Sequence, residues 1–122
     1  MSKPDLDDLF RGRVDSRELF DAVSREVKRL GDATIRVSKS QVAFRRKKNF
    51  ALVWIPGLYL TTRPTAPLVL TLSFPTPDLS HRWKEITKVG PRRFTHHLEL
   101  YTTDEIDDEV RNWLHMAWQQ AA

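Results

Sequence analysis

The residues with the plainest chemical potential are four consecutive cations, Arg45, Arg46, Lys47 and Lys48, and a second pair, Arg92 and Arg93, placed directly after Pro91. Cations held close together neutralise phosphates and release the counterions condensed on them, so these residues are candidates for salt-sensitive binding of nucleic acid or another polyanion. The plainer alternative is a hairpin tip charged for solubility, with cations at strand ends discouraging edge-to-edge pairing. Both readings stay open at this level. Stacking of bases on exposed rings would strengthen the first. Only Tyr59 and Tyr101 suggest a wet position, while Phe44, Phe50, Trp54, Phe74 and Phe94 are assigned to the core.

His96 and His97 are adjacent, and neighbours on a strand project to opposite faces, so the two cannot chelate one metal together. His96 runs in phase with Phe94, Leu98 and Leu100, which makes it a core residue; His97 runs in phase with Arg93, Thr95 and Glu99. His81 and His115 have no partners nearby in sequence. A pocket between the sheet and a helix, lined by residues such as Lys39, Tyr59, His97 and Tyr101, is the rival reading as a small-ligand or enzymatic domain. The acids Asp104, Glu105, Asp107, Asp108 and Glu109 suit the positive end of a helix dipole better than a metal site. The four glycines form no phosphate loop, the serines no nucleophile elbow, and the absence of cysteine excludes disulfides, thiolate nucleophiles and cysteine-ligated zinc. No catalytic residue, metal ligand or cofactor is therefore assigned.

The elements that must position these groups follow from periodicity. Leu19, Val23, Val27 and Leu30 repeat at helical spacing after Asp15, which reads as an N-cap with Glu18 three residues on, and Gly31 supplies a stop. The middle of the chain alternates or runs apolar in short blocks, predicting strands over 34–38, 41–46, 50–55, 58–62, 67–74, 83–89 and 94–101. The 50–55 block, apolar on both faces, belongs in the sheet centre. After Thr102 and Thr103 a closing helix places Ile106, Val110, Trp113, Leu114, Ala117 and Trp118 on one stripe that must dock on the sheet. The predicted class is α+β: an antiparallel sheet of about five to seven strands packed against an N-terminal and a C-terminal amphipathic helix.

With 122 residues, 40% of them hydrophobic, the chain suits a single domain over 1–122, its first 14 or so residues a polar lead. Residues 34–101 carry 12 lysines and arginines against 3 acids, whereas the segments before and after are net acidic. Residues 1–10 hold three aspartates and no apolar core, and no stretch approaches the roughly 18 apolar residues of a membrane span, so a cytoplasmic protein without membrane contact is expected. A homodimer through the polar sheet face or an edge strand is a further possibility of the pattern.

The order of several short motifs resembles a bacterial family known as domain of unknown function 5655. They are Leu19-Phe20, the run from Val37 to Phe44 with Phe50-Ala51 after it, Arg92-Arg93-Phe94-Thr95-His96-His97, Asp107-Asp108-Glu109-Val110 and Trp113-Leu114. The resemblance spans nearly the whole chain from the first helix onward. It implies no reaction and no cofactor; similar domains occur alone and as C-terminal parts of longer proteins, some with nuclease-like partners, which implies an accessory module. Lys39 and His97 lie within the matching stretches, with no role carried over. The resulting expectation is a non-enzymatic binding or accessory module engaging nucleic acid or another anionic partner.

Overall fold

Period-two alternation through the middle of the chain produces six antiparallel strands, and the amphipathic segments at either end fold as helices on one face of them. The computed structural model describes residues 5–58 and 64–122. In chain order the elements are α1 (Leu6–Leu9), α2 (Val14–Leu30), β1 (Thr34–Val37), β2 (Gln41–Arg45), β3 (Asn49–Trp54), β4 (Leu68–Phe74), β5 (Glu85–Gly90), β6 (Arg93–Leu100) and α3 (Asp108–Gln120). Short 3-10 turns occupy Pro56–Leu58 and Thr103–Glu105. The strands form one sheet in the order β1-β2-β3-β4-β6-β5, with every neighbouring pair antiparallel. No helix among the described residues is long and apolar enough to cross a membrane.

Register sorts the side chains. Val42, Val53, Leu70 and Leu98 lie in line across β2, β3, β4 and β6, and one step along the strands Phe44, Ala51, Leu72 and His96 do the same. These residues are buried in one core with Leu19, Val23 and Val27 of α2 and Val110, Trp113, Leu114 and Ala117 of α3. At roughly 1.5–3 kcal/mol for each large apolar side chain removed from water, this face carries most of the folding free energy. Gly31 ends α2 at φ +130°, and a Cβ there would stand 3.0 Å from the Trp118 ring, so the stop and the seat for α3 depend on the same glycine. The Trp118 indole N–H also donates to the Asp32 carbonyl at 2.9 Å.

Several boundaries depart from the periodicity. Asp15 is not the cap of α2: the helix begins at Val14 after Arg13, and Asp15 sits in the first turn, where it still complements the dipole. The neighbouring Ser16 is buried and donates to the Pro67 carbonyl at 2.7 Å, so its hydroxyl ties the helix to the sheet. Leu9 and Phe10 of the lead are buried in the core, with α1 capped by Asp5. The closing helix is broken in two, because the Glu105 carboxylate turns back to accept from the backbone of Tyr101 and Thr102, and Asp107 starts α3 afresh by accepting from Val110 N–H. Trp83 precedes β5 and turns its ring into the core. Of the strand predicted at 58–62, Leu58 belongs to a 3-10 turn and the rest lies outside the described residues.

Candidate functional site

Two of the hollows that border the sheet differ in charge. The first, about 920 Å³, lies across the end of the sheet where the β2–β3 turn, the end of β4, the β5–β6 turn and the last turn of α3 meet. Arg45, Lys47, Lys48, Arg92 and Arg93 all line it, so two clusters more than forty residues apart in sequence share one cavity, and no carboxylate is among its lining residues. None of these five side chains forms an ion pair within the described residues. Their placement has a local cause. The β2–β3 turn is held against the C-terminus of α3, with the backbone N–H groups of Lys47 and Lys48 donating to the Ala121 carbonyl at 3.0 and 3.3 Å.

Arg46 is diverted from the group. Its guanidinium stacks 3.6 Å above the Trp118 ring and donates to the Trp118 carbonyl at 3.2 Å, which makes it a clamp on the helix end. Among the described residues no exposed aromatic side chain lines this cavity; Phe50 and Phe74, which do, are buried.

The second hollow, about 570 Å³, opens on the sheet face that carries no helix. Trp54, Val69, His97 and Glu99 form its floor, Pro56, Pro64 and Thr65 one wall, and Lys84, Glu85 and Tyr101 the other side. His97 and Tyr101 line it, but among the described residues no α-helix contributes to it: it lies over the sheet rather than between sheet and helix. Lys39 is exposed in the β1–β2 turn and is not among its lining residues, and Tyr59 lies outside the described residues.

Trp54, assigned to the core from sequence, belongs to this open face, because Val53 takes the core side of β3 and strand neighbours alternate. Its indole N–H donates to Thr71 Oγ1 at 3.0 Å, and Thr71 Oγ1 lies 2.8 Å from His97 Nδ1. Thr71 itself is buried. Burial holds the His97 imidazole below its ordinary range; the charge of Glu85, its cross-strand partner, opposes that shift and His96 adds to it. Lys84 pairs with Glu99 at 3.5 Å. Thr71, Glu85 and Glu99 carried no sequence signal beyond their strand phase.

His96 is on the core face as its phase predicts, and is fully enclosed. Its Nδ1–H donates to the Phe94 carbonyl at 3.0 Å and its Nε2 accepts from the Asp78 N–H at 3.0 Å. The rings of Phe74 and Trp83 stand edge-on to it at 4.8 and 5.0 Å. The acids around the start of α3 are engaged with Arg82, whose guanidinium meets Asp107 at 3.0 Å and Glu109 at 2.9 Å and donates to the Glu105 carbonyl at 2.9 Å. No group of histidines and acids that could hold a metal ion occurs among the described residues.

The chain belongs to the family described as Domain of unknown function (DUF5655), whose model matches residues 6–121. No curated protein and no solved structure matches it.

Proposed function

We propose that this domain is a binding or accessory module that engages a nucleic-acid backbone through the hollow lined by Arg45, Lys47, Lys48, Arg92 and Arg93. The observation that carries this reading is the convergence of two distant cationic clusters, unpaired among the described residues, on one cavity without an acid. Unpaired cations at close quarters repel one another, and a phosphate chain relieves that repulsion while releasing counterions. Arg46 and Arg82 supply the contrast, since each is committed to protein partners. With no exposed ring among the described residues of the cavity, binding at this hollow proceeds through phosphates and is indifferent to base sequence.

The test is a salt titration of the purified chain on duplex and single-stranded oligonucleotides. With up to five phosphates neutralised, the plot of log K against log salt has a slope of up to about −4.5 on duplex DNA. The double substitution Arg92→Ala and Arg93→Ala lowers that slope by about 2. Absence of binding at low salt overturns the proposal.

A further inference from the structure

The pocket on the open sheet face is chemically unlike the cationic hollow, and its polar groups are ordered by the fold. Thr71 Oγ1 accepts the Trp54 indole proton, which leaves its own hydroxyl proton to be donated. Its one acceptor among the described residues is His97 Nδ1 at 2.8 Å. A neutral imidazole that accepts at Nδ1 carries its proton on Nε2. That Nε2–H has no hydrogen-bond partner among the described residues, and His97 lines the pocket. The relay therefore presents a single N–H donor of fixed orientation to whatever enters.

Beside it stands an acceptor. Glu85 is directly opposite His97 in the β5–β6 register, on the same face, with Cβ atoms about 5 Å apart for such a pair. Trp54, Pro56, Pro64 and Tyr101 contribute apolar lining to the pocket. Two carboxylates against one ammonium in the lining disfavour an anion.

A donor next to an acceptor, in a hollow of about 570 Å³ lined in part by the Trp54 ring, is complementary to a ring nitrogen next to an exocyclic amino group. The geometry points to a binding site for a planar heteroaromatic amine, with the amino-bearing edge of adenine or cytosine as its type: the ring nitrogen accepts from His97 Nε2–H and the amino group donates to the Glu85 carboxylate. The size lies within the range of small-ligand pockets. This site goes beyond the phosphate-binding reading and is independent of it.

Isothermal titration of the full chain with adenosine, cytidine, uridine and inosine tests the assignment. Adenosine and cytidine bind, and uridine and inosine, whose corresponding edges put a donor or a carbonyl where the site needs the reverse, bind at least tenfold more weakly. His97→Leu and Glu85→Ala each lower adenosine affinity at least fivefold, whereas Arg92→Ala with Arg93→Ala leaves it within twofold. Because His97→Leu perturbs a strand, nitrogen NMR of the wild-type imidazole supplies a readout that needs no variant: Nε2 is protonated, Nδ1 is not, and adenosine shifts Nε2. An oligodeoxyadenylate run in parallel distinguishes the two sources of the same edge, exceeding adenosine in affinity where the base belongs to a strand and matching it where the ligand is free. Equal affinity for all four nucleosides, no binding at millimolar concentration, an Nδ1-protonated ring, or a tenfold loss on removing Arg92 and Arg93 overturns the inference.

Discussion

His96 and His97 are consecutive in the chain and share the same backbone strand, yet they belong to two different regions. His96 lies on the helix-covered face, where both ring nitrogens have backbone partners and three aromatic rings, Phe74, Trp83 and the more distant Trp113, close the cluster around it. His97 lies on the open face, where one nitrogen is tied to Thr71 and the other opens on a pocket. Burial lowers the affinity of both for protons. The difference teaches that a perturbed histidine is informative about function only once its hydrogen bonds are counted: a completed set marks a structural group, an incomplete one a group held ready for something else.

The sharpest way to break that comparison is to remove each ring in turn. His96→Ala should cost about 3 kcal/mol, since it opens a cavity among packed rings and strips the Asp78 N–H of its acceptor. His97→Ala should cost about 1 kcal/mol, because its ring is only partly buried and a single side-chain hydrogen bond is lost. Urea unfolding of the two variants measures both, and equal losses would erase the distinction drawn here.

The cations allow the same contrast at smaller scale. Arg82→Ala should destabilise by about 1–2 kcal/mol, because its guanidinium joins the loop before β5 to the start of α3 through Asp107, Glu109 and a backbone carbonyl. Arg92→Ala should leave stability within about 0.5 kcal/mol, as expected for an exposed cation without an ion-pair partner among the described residues.

On the open face, Thr71→Val interrupts the relay while keeping the shape of the side chain. It should cost about 1 kcal/mol through loss of the hydrogen bonds that join Thr71 to Trp54 and His97, and in NMR it should release the imidazole from its single tautomer.

The smallest expected effect is on the pH dependence of stability. For both imidazoles burial outweighs the groups that favour protonation, namely the Phe94 carbonyl and Asp78 at His96 and Glu85 at His97. Their folded values therefore lie below the ordinary 6.5, and the unfolded chain binds more protons in the interval between. Stability from these groups is complete above about pH 6.5 and declines as pH falls toward the folded values, then levels off. Urea midpoints from pH 7.5 downward should follow that course, and His97→Gln should make the decline shallower without abolishing it.

Much of the fold was legible because it rests on periodicity. The phases of Leu19, Val23 and Val27 and of Leu68, Leu70 and Leu72 place the core face on α2 and β4 without tertiary information. Even the division of His96 from His97 follows from alternation on β6. The errors lie where a side chain found a partner distant in sequence: Ser16 at Pro67, Glu105 turning back on Tyr101, and Trp54 turned to Thr71. The candidate site was legible only as separate pieces.

By itself, then, the sequence determined the α+β class, the antiparallel strands, the concentration of cations in the sheet segment and the absence of cysteine chemistry, because each depends on local pattern or on composition. Tertiary structure alone decided that Arg45, Lys47 and Lys48 meet Arg92 and Arg93 in one cavity while Arg46 leaves them for Trp118. It alone joined Trp54, Thr71 and His97 into a relay facing a pocket. The reason is strand order: β4 pairs with both β3 and β6, and no local rule states that the strand between Trp54 and His97 will be the one carrying Thr71.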